Sequence, residues 1–172
     1  WSDALKAVAS FERTLIHENV PFDAFTQGDE DALSEKAKEG LVLFQGKANC
    51  IECHNGPMFT DESFHGIGVP NNQLVFDNEP DAQVALRWQH YARGVPEPVY
   101  RAADEDFGLY YTTKREEDIS LFRTPPLRYL CYSAPYMHDG VFDTLEEVVE
   151  FYNQGGGEAP NKDDLMVPLE LS

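Results

Sequence analysis

A mostly α-helical fold with long irregular loops is what this sequence predicts. Three observations lead there. Apolar residues recur at helical spacing in separate stretches, several of them preceded by a capping residue. Between these stretches lie segments rich in Gly, Pro and Asn that read as loop. No segment shows the strict apolar–polar alternation of a half-buried strand.

The first predicted helix covers residues 2–18. Ser2 can cap it, and Ala4, Val8, Phe11 and Leu15 form one apolar stripe. Pro21 and the G-D-E-D run at 28–31 break the pattern. A second helix is expected from Glu35 to about Lys47, capped by Ser34, with Ala37, Leu41, Phe44 and Ala48 inward. It delivers the chain to Cys50. Residues 55–80 read as loop and 81–93 as a short helix. Residues 94–120 read as an irregular, charged stretch, long enough to carry function or to pack on a neighbour. The clearest helix comes late: Thr144 and Glu147 form a capping box. Leu145, Val148, Val149 and Tyr152 then share one face, and Gly155–Gly157 end the helix.

The 172 residues, 42% of them hydrophobic, suffice for one domain with a real core, taken here as residues 1–172. Acidic residues outnumber basic ones 31 to 13, a net charge of −18. That surface repels nucleic acid and anionic membranes, and it either steers basic partners or simply keeps the protein in solution. No apolar run approaches the roughly 20 residues of a membrane span. The chain opens on Trp1 rather than Met, which points to a start inside a longer precursor.

Three cysteines are too few for a disulfide framework. Two of them stand in N-C-I-E-C-H-N-G, residues 49–56. The C-x-x-C-H pattern suits covalent haem attachment: two thiols at this spacing add across the two vinyl groups of one porphyrin, and the next histidine falls under the iron. Cys50 and Cys53 are therefore the predicted tethers, and His54 the axial ligand. Zinc needs a closed set of four ligands, and Cys131 has no neighbouring Cys or His at finger spacing. A thioredoxin-like dithiol needs a strand before the motif and a helix after it, the reverse of this context. Cys131 is expected to be a small buried apolar residue. Haem is joined to thiols outside the bacterial cytoplasm, so a periplasmic location follows.

Haem chemistry turns on the sixth iron position. The residue types that could fill it are Met58, His65, Met137, His138 and Tyr152. Met58 is close to His54 in sequence, and a loop that short seldom wraps a macrocycle. His65 and His138 sit in glycine-flanked loops. Tyr152 faces inward, as a core tyrosine also would. The residues alone leave this choice open.

Three stretches, "ALKAVASFERTLIHENVPFDAF", "LSEKAKEGLVLFQGKANCIECHNGPMFTDESFHGIGV" and "FRTPPLRYLCYSAPYMHDGVFDTLEEVVEFYNQGGG", resemble the bacterial di-haem cytochrome c peroxidase family, in order. The resemblance covers most of residues 4–168, apart from about 75–118, and is to that family's C-terminal, cytochrome c-like haem domain. It implies His54 as proximal ligand and places Tyr152 at the distal position after the H-D-G loop. Other members have methionine there, and the MauG branch has tyrosine. It also implies a calcium ion held by backbone carbonyls matching Ser133 and Pro135. Arg128 and Tyr136 are candidates to line the haem pocket or meet its propionates, the alternatives being a surface ion pair for Arg128 and loop packing for Tyr136. Members of the branch use hydrogen peroxide, bound at the other haem, to oxidise tryptophan or tyrosine on a separate protein. Only one C-x-x-C-H is present, so the resemblance implies one covalent haem c here and a second haem domain or chain as partner. The peroxide-binding residues belong to that other half, Trp1 being too near His54 to bridge two haems. No catalytic residue is assigned in this chain, and it is not expected to be competent alone. Two other readings remain at this stage: a Met-ligated di-haem peroxidase fed by a small redox protein, and a plain electron-transfer cytochrome.

Overall fold

The structure is a computed structural model that describes residues 2–14, 20–73 and 80–171. Trp1, Leu15 and residues 75–79 of the segment outside the resemblance lie outside the described residues. The chain divides into two compact units, Trp1–Leu43 and Phe44–Ser172.

In the first unit, α1 (Ser2–Glu12) is followed by α2 (Pro21–Thr26), and α3 (Glu35–Gln45) crosses the boundary. Pro21 occupies the first turn of α2, where its missing N–H costs nothing. Ser34 caps α3 as expected, its Oγ accepting from the Ala37 amide at 3.2 Å. The stripe predicted for α1 differs: Val8 and Phe11 are exposed, Phe11 at 63%. An apolar periodicity names a face but not what covers it.

In the second unit, a 3₁₀ turn at Cys50–Glu52 follows α3. Asn49 enters it in the left-handed region (φ 54), which asparagine tolerates. A two-residue antiparallel pair, β1 (Phe64–His65) with β2 (Phe122–Arg123), joins the loop after the C-x-x-C-H motif to the later chain. The sequence contains no strand signal here, because two residues are too few to show alternation.

The largest correction concerns residues 94–120. This stretch is only partly irregular: α4 (Pro80–Ala92) precedes Gly94, and the short helices α5 (Glu97–Ala102) and α6 (Tyr110–Thr113) punctuate it. Pro96 and Pro98 start α5 rather than mark a loop. Val95, Ala103 and Phe107 are buried here, with Tyr100, Tyr110, Tyr111 and Ile119 packed on them. His90 of α4 is fully buried, stacked on Phe107 at 4.4 Å, with Nε2 2.8 Å from the Tyr111 hydroxyl.

The late helix, α7 (Leu145–Asn153), carries the predicted capping box in full. Leu145, Val148 and Tyr152 are half-buried, but Val149, predicted inward, is 56% exposed. Phe151 takes the inner side instead, against Phe142 at 5.4 Å. Gly155 (φ 86) and Gly156 (φ 73) end the helix by returning their amides to the Tyr152 and Phe151 carbonyls, both at 2.9 Å. Among the described residues no helix is long and apolar enough to cross a membrane.

Candidate haem site

Cys50 and Cys53 sit on the 3₁₀ turn, both half-buried and both free thiols. The turn is closed by the His54 amide donating to the Cys50 carbonyl at 2.9 Å. Burial raises the pKa of both thiols, and Asp61 and Asp163 help to push Cys53 up to about 11. A thiol enzyme needs the opposite, a thiolate favoured near neutrality.

His54 is held by its own loop. Gly56 (φ 67) and Phe59 (φ 55) turn the backbone so that the Phe59 carbonyl lies 3.0 Å from His54 Nδ1. An Nδ1–H donated there sets the tautomer an axial ligand requires, and the Pro125 carbonyl also bonds the ring. Burial lowers the pKa of His54, which keeps the ring neutral and ready to bind a metal. Arg128 braces the same loop: its Nε donates to the Pro57 carbonyl at 2.7 Å, and its guanidinium lies 5.9 Å from the centre of the Phe59 ring.

Tyr152 projects from the inner face of α7. Burial, and then the nearby Cys53 and Cys50 thiols, push its hydroxyl up to about 12. The phenol therefore shares one electrostatic environment with both thiols of the C-x-x-C-H turn, although about 100 residues separate them in sequence. Among the described residues no hydrogen bond reaches its hydroxyl, which leaves the oxygen available to a ligand.

Of the other sequence candidates, Met137 is half-buried in the left-handed region (φ 70). Met58 is exposed, and His138 stacks on Phe122 with ring centres 3.8 Å apart. His65 is taken by two carboxylates, Asp61 at 2.9 Å and Asp163 at 2.6 Å. Tyr136 closes its own loop, donating its hydroxyl to the Leu130 carbonyl and its amide to that of Phe142. Ser133 and Pro135 are exposed, and among the described residues their carbonyl oxygens accept no hydrogen bond. Cys131 corrects the sequence expectation: it is exposed, not buried. Its short 3₁₀ turn presents Tyr132 to solvent as well, while Tyr129 and Leu130 face inward.

Sequence reasoning missed one grouping. Donor atoms of Cys53, Asp61 and His65 lie within 4.8 Å of one another. The Asp61–His65 spacing of four was visible, but Asp163 arrives from 98 residues away. A separate groove of about 470 Å³, lined by Val99, Phe107, Tyr110 and Ile119 among others, shares no residue with the haem motif.

No protein-family model matches the chain. It is 49% identical, over 99% of its length, to cytochrome-c peroxidase IdrP1 of Pseudomonas sp. (strain SCT), covering 45% of that protein. It is 36% identical over 97% of its length to the methylamine utilization protein MauG of Methylophilus methylotrophus, covering 41%. Among solved structures it resembles a MauG-like protein associated with microbial copper homeostasis, with TM-score 0.70 and 26% identity over 96% of this chain and 47% of that one. The chain spans about half the length of the curated relatives it matches. With a C-x-x-C-H turn and an inward phenol behind that likeness, the chain belongs to the bacterial di-haem cytochrome c peroxidase and MauG family.

Proposed function

We propose that residues 1–172 are the cytochrome c-like domain that carries the six-coordinate haem c of a periplasmic di-haem peroxidase of the MauG type. The observation that carries this reading is that Cys50 and Cys53, beside His54 in the chain, share one electrostatic environment with the Tyr152 hydroxyl. Cys50 and Cys53 would hold the haem through thioethers, His54 Nε2 would take one axial position, and Tyr152 the other. The haem, when bound, supplies reversible electron storage, and an anionic phenolate ligand favours its oxidised forms. The Phe59 carbonyl orients the imidazole and increases its basicity. The buried pocket keeps Tyr152 protonated until a strong cation competes for its oxygen. Ser133 and Pro135 offer backbone oxygens of the hard type that calcium takes. Arg128 and Tyr136 support the pocket by holding the loops around residues 57–59 and 130–142.

A second haem domain would react with peroxide, and this one would relay the oxidising equivalents. Their destination is a protein side chain or a small redox protein. The relatives at 49% and 46% identity are named cytochrome-c peroxidases, which favours a small redox protein as electron donor.

The test compares Tyr152→Phe and Tyr152→Met in the full-length, haem-loaded protein. The wild type should lack a near-infrared methionine–iron band, Tyr152→Met should gain one, and Tyr152→Phe should lose the sixth ligand. A wild-type methionine band, or an unchanged ferric spectrum in Tyr152→Phe, would refute the assignment. A pyridine haemochrome assay should return two haems per full-length chain.

A further inference from the structure

The loop after His54 and the segment after Tyr152 interlock backbone to backbone. The Asp61 amide donates to the Cys53 carbonyl at 2.9 Å, tying this loop to the haem-attachment turn. From the other side, the Gly157 amide donates to the Ile67 carbonyl at 3.1 Å and the Asp163 amide to the Gly66 carbonyl at 2.8 Å. Two glycines make the approach feasible. A Cβ on Gly66 would lie 2.2 Å from the Asn161 carbonyl oxygen, and one on Gly68 2.4 Å from the Gly157 carbonyl.

His65 bridges this joint. Its Nδ1 lies 2.6 Å from Asp163 Oδ2 and its Nε2 2.9 Å from Asp61 Oδ2. Both ring nitrogens face carboxylates, which accept only, so both carry protons and the ring is an imidazolium. The three side chains are between 19% and 25% exposed, well short of full solvent screening. Burial opposes charge on His65, but the bonds to Asp163 and Asp61 outweigh it and raise its pKa. The same bonds, against the same opposition, hold both carboxyls below their usual range. One cation between two anions leaves a net negative charge beside the Cys53 sulfur. With both His65 nitrogens engaged, the grouping reads as a charge clamp rather than a metal site.

We propose that Asp61–His65–Asp163 is a positioning clamp that fixes the segment bearing Cys53 and His54 against the segment leaving the Tyr152 helix, and so sets the spacing between the two axial positions. It rests on the reading of His54 and Tyr152 as axial ligands. His65 acts through these two segments and is a positioning residue, not a catalytic one. A side chain that only added stability would leave the ligation equilibrium untouched.

The test uses the full-length, haem-loaded protein with Asp163→Asn, His65→Gln and the conservative Asp163→Glu. The readout is the fraction of ferric haem lacking its sixth ligand, followed from pH 5 to 10. The titratable groups facing His65 are Asp61, Asp163, His54 and Cys53; the last two have no exchangeable proton at their bonded atoms once haem is attached. Losing a charge-assisted hydrogen bond should raise the unligated fraction roughly tenfold in Asp163→Asn and His65→Gln. In Asp163→Asn the alkaline loss of ligation should also move to lower pH, because His65 keeps only one carboxylate, while Asp163→Glu should restore much of the wild-type profile. If Asp163→Asn does not fold, Asp61→Asn cuts only the Nε2 arm and gives the same readout. Variants that melt earlier but keep the wild-type ligation and pH profile overturn the proposal. An unaltered spectrum in Tyr152→Phe would instead sink the ligand assignment beneath it, so the two failures are distinguishable.

Discussion

Replacing Gly68 with alanine should damage the joint between the loop after the C-x-x-C-H turn and the segment after α7. The new Cβ would lie 2.4 Å from the Gly157 carbonyl carbon and oxygen and 2.9 Å from the Glu158 amide nitrogen, where ordinary contact begins at 3.4 Å. All three atoms are backbone, so no side chain can swing away. Gly68 also has φ +69, which costs an L-residue about 1–2 kcal/mol. Forced overpacking adds about 1–3 kcal/mol. The stiffer unfolded chain returns about 0.4–1 kcal/mol. The net loss is about 2–4 kcal/mol, or roughly 5–15 °C in Tm for a chain of this size. Two other glycines separate the contributions. Gly56 has φ +67 with open space around its Cβ, so Gly56→Ala should lose only the conformational part, about 1 kcal/mol. Gly40 lies in α3 with nothing within 4 Å, so Gly40→Ala should be neutral or stabilising by up to about 1 kcal/mol. Thermal melts of the three haem-loaded variants, followed by circular dichroism, give the comparison. A Gly68→Ala protein that melts no earlier than Gly56→Ala would refute the backbone-contact argument.

Thr144→Ala removes the acceptor of the Glu147 amide and should cost about 1 kcal/mol, read as a lower urea midpoint. Tyr111→Phe strips the buried His90 ring of its hydroxyl partner and should cost about 1–3 kcal/mol in the same assay. Acid should destabilise through Asp61, whose burial is outweighed by bonds from His65, the Ser63 amide and Thr124 that hold its carboxyl at about 2. Its contribution is present above the unfolded carboxyl pKa and is lost as pH falls from about 4 towards 2, about 1 kcal/mol after solvent screening. His65 works in the opposite sense: its raised pKa adds stability below its ordinary value that fades as pH rises through the folded one. Urea midpoints against pH should therefore peak in the mildly acidic range, and Asp61→Asn should flatten the acid limb.

What the residue order determined by itself was local. C-x-x-C-H names its chemistry within five positions, because two thiols and an imidazole at that spacing suit one porphyrin. The Thr144–Glu147 box and the Ser34 cap follow from contacts three residues apart, and both appear in the fold. The inward face of Tyr152 came from the helical period, whereas Val149, on the same period, turned out exposed. Only tertiary structure decided the rest. The buried Val95–Ala103–Phe107 cluster lies in a stretch whose prolines and charges read as loop, since burial depends on distant partners and not on spacing. Cys131 is a small apolar residue by type, yet its turn faces outward. His65 looked like an ordinary loop histidine until Asp163 reached it from 98 residues along the chain. Periodicity and caps encode contacts within one or two helical turns; the meeting of the His54 loop with the Tyr152 segment is a property of the folded backbone, where glycines allow two strands of chain to touch.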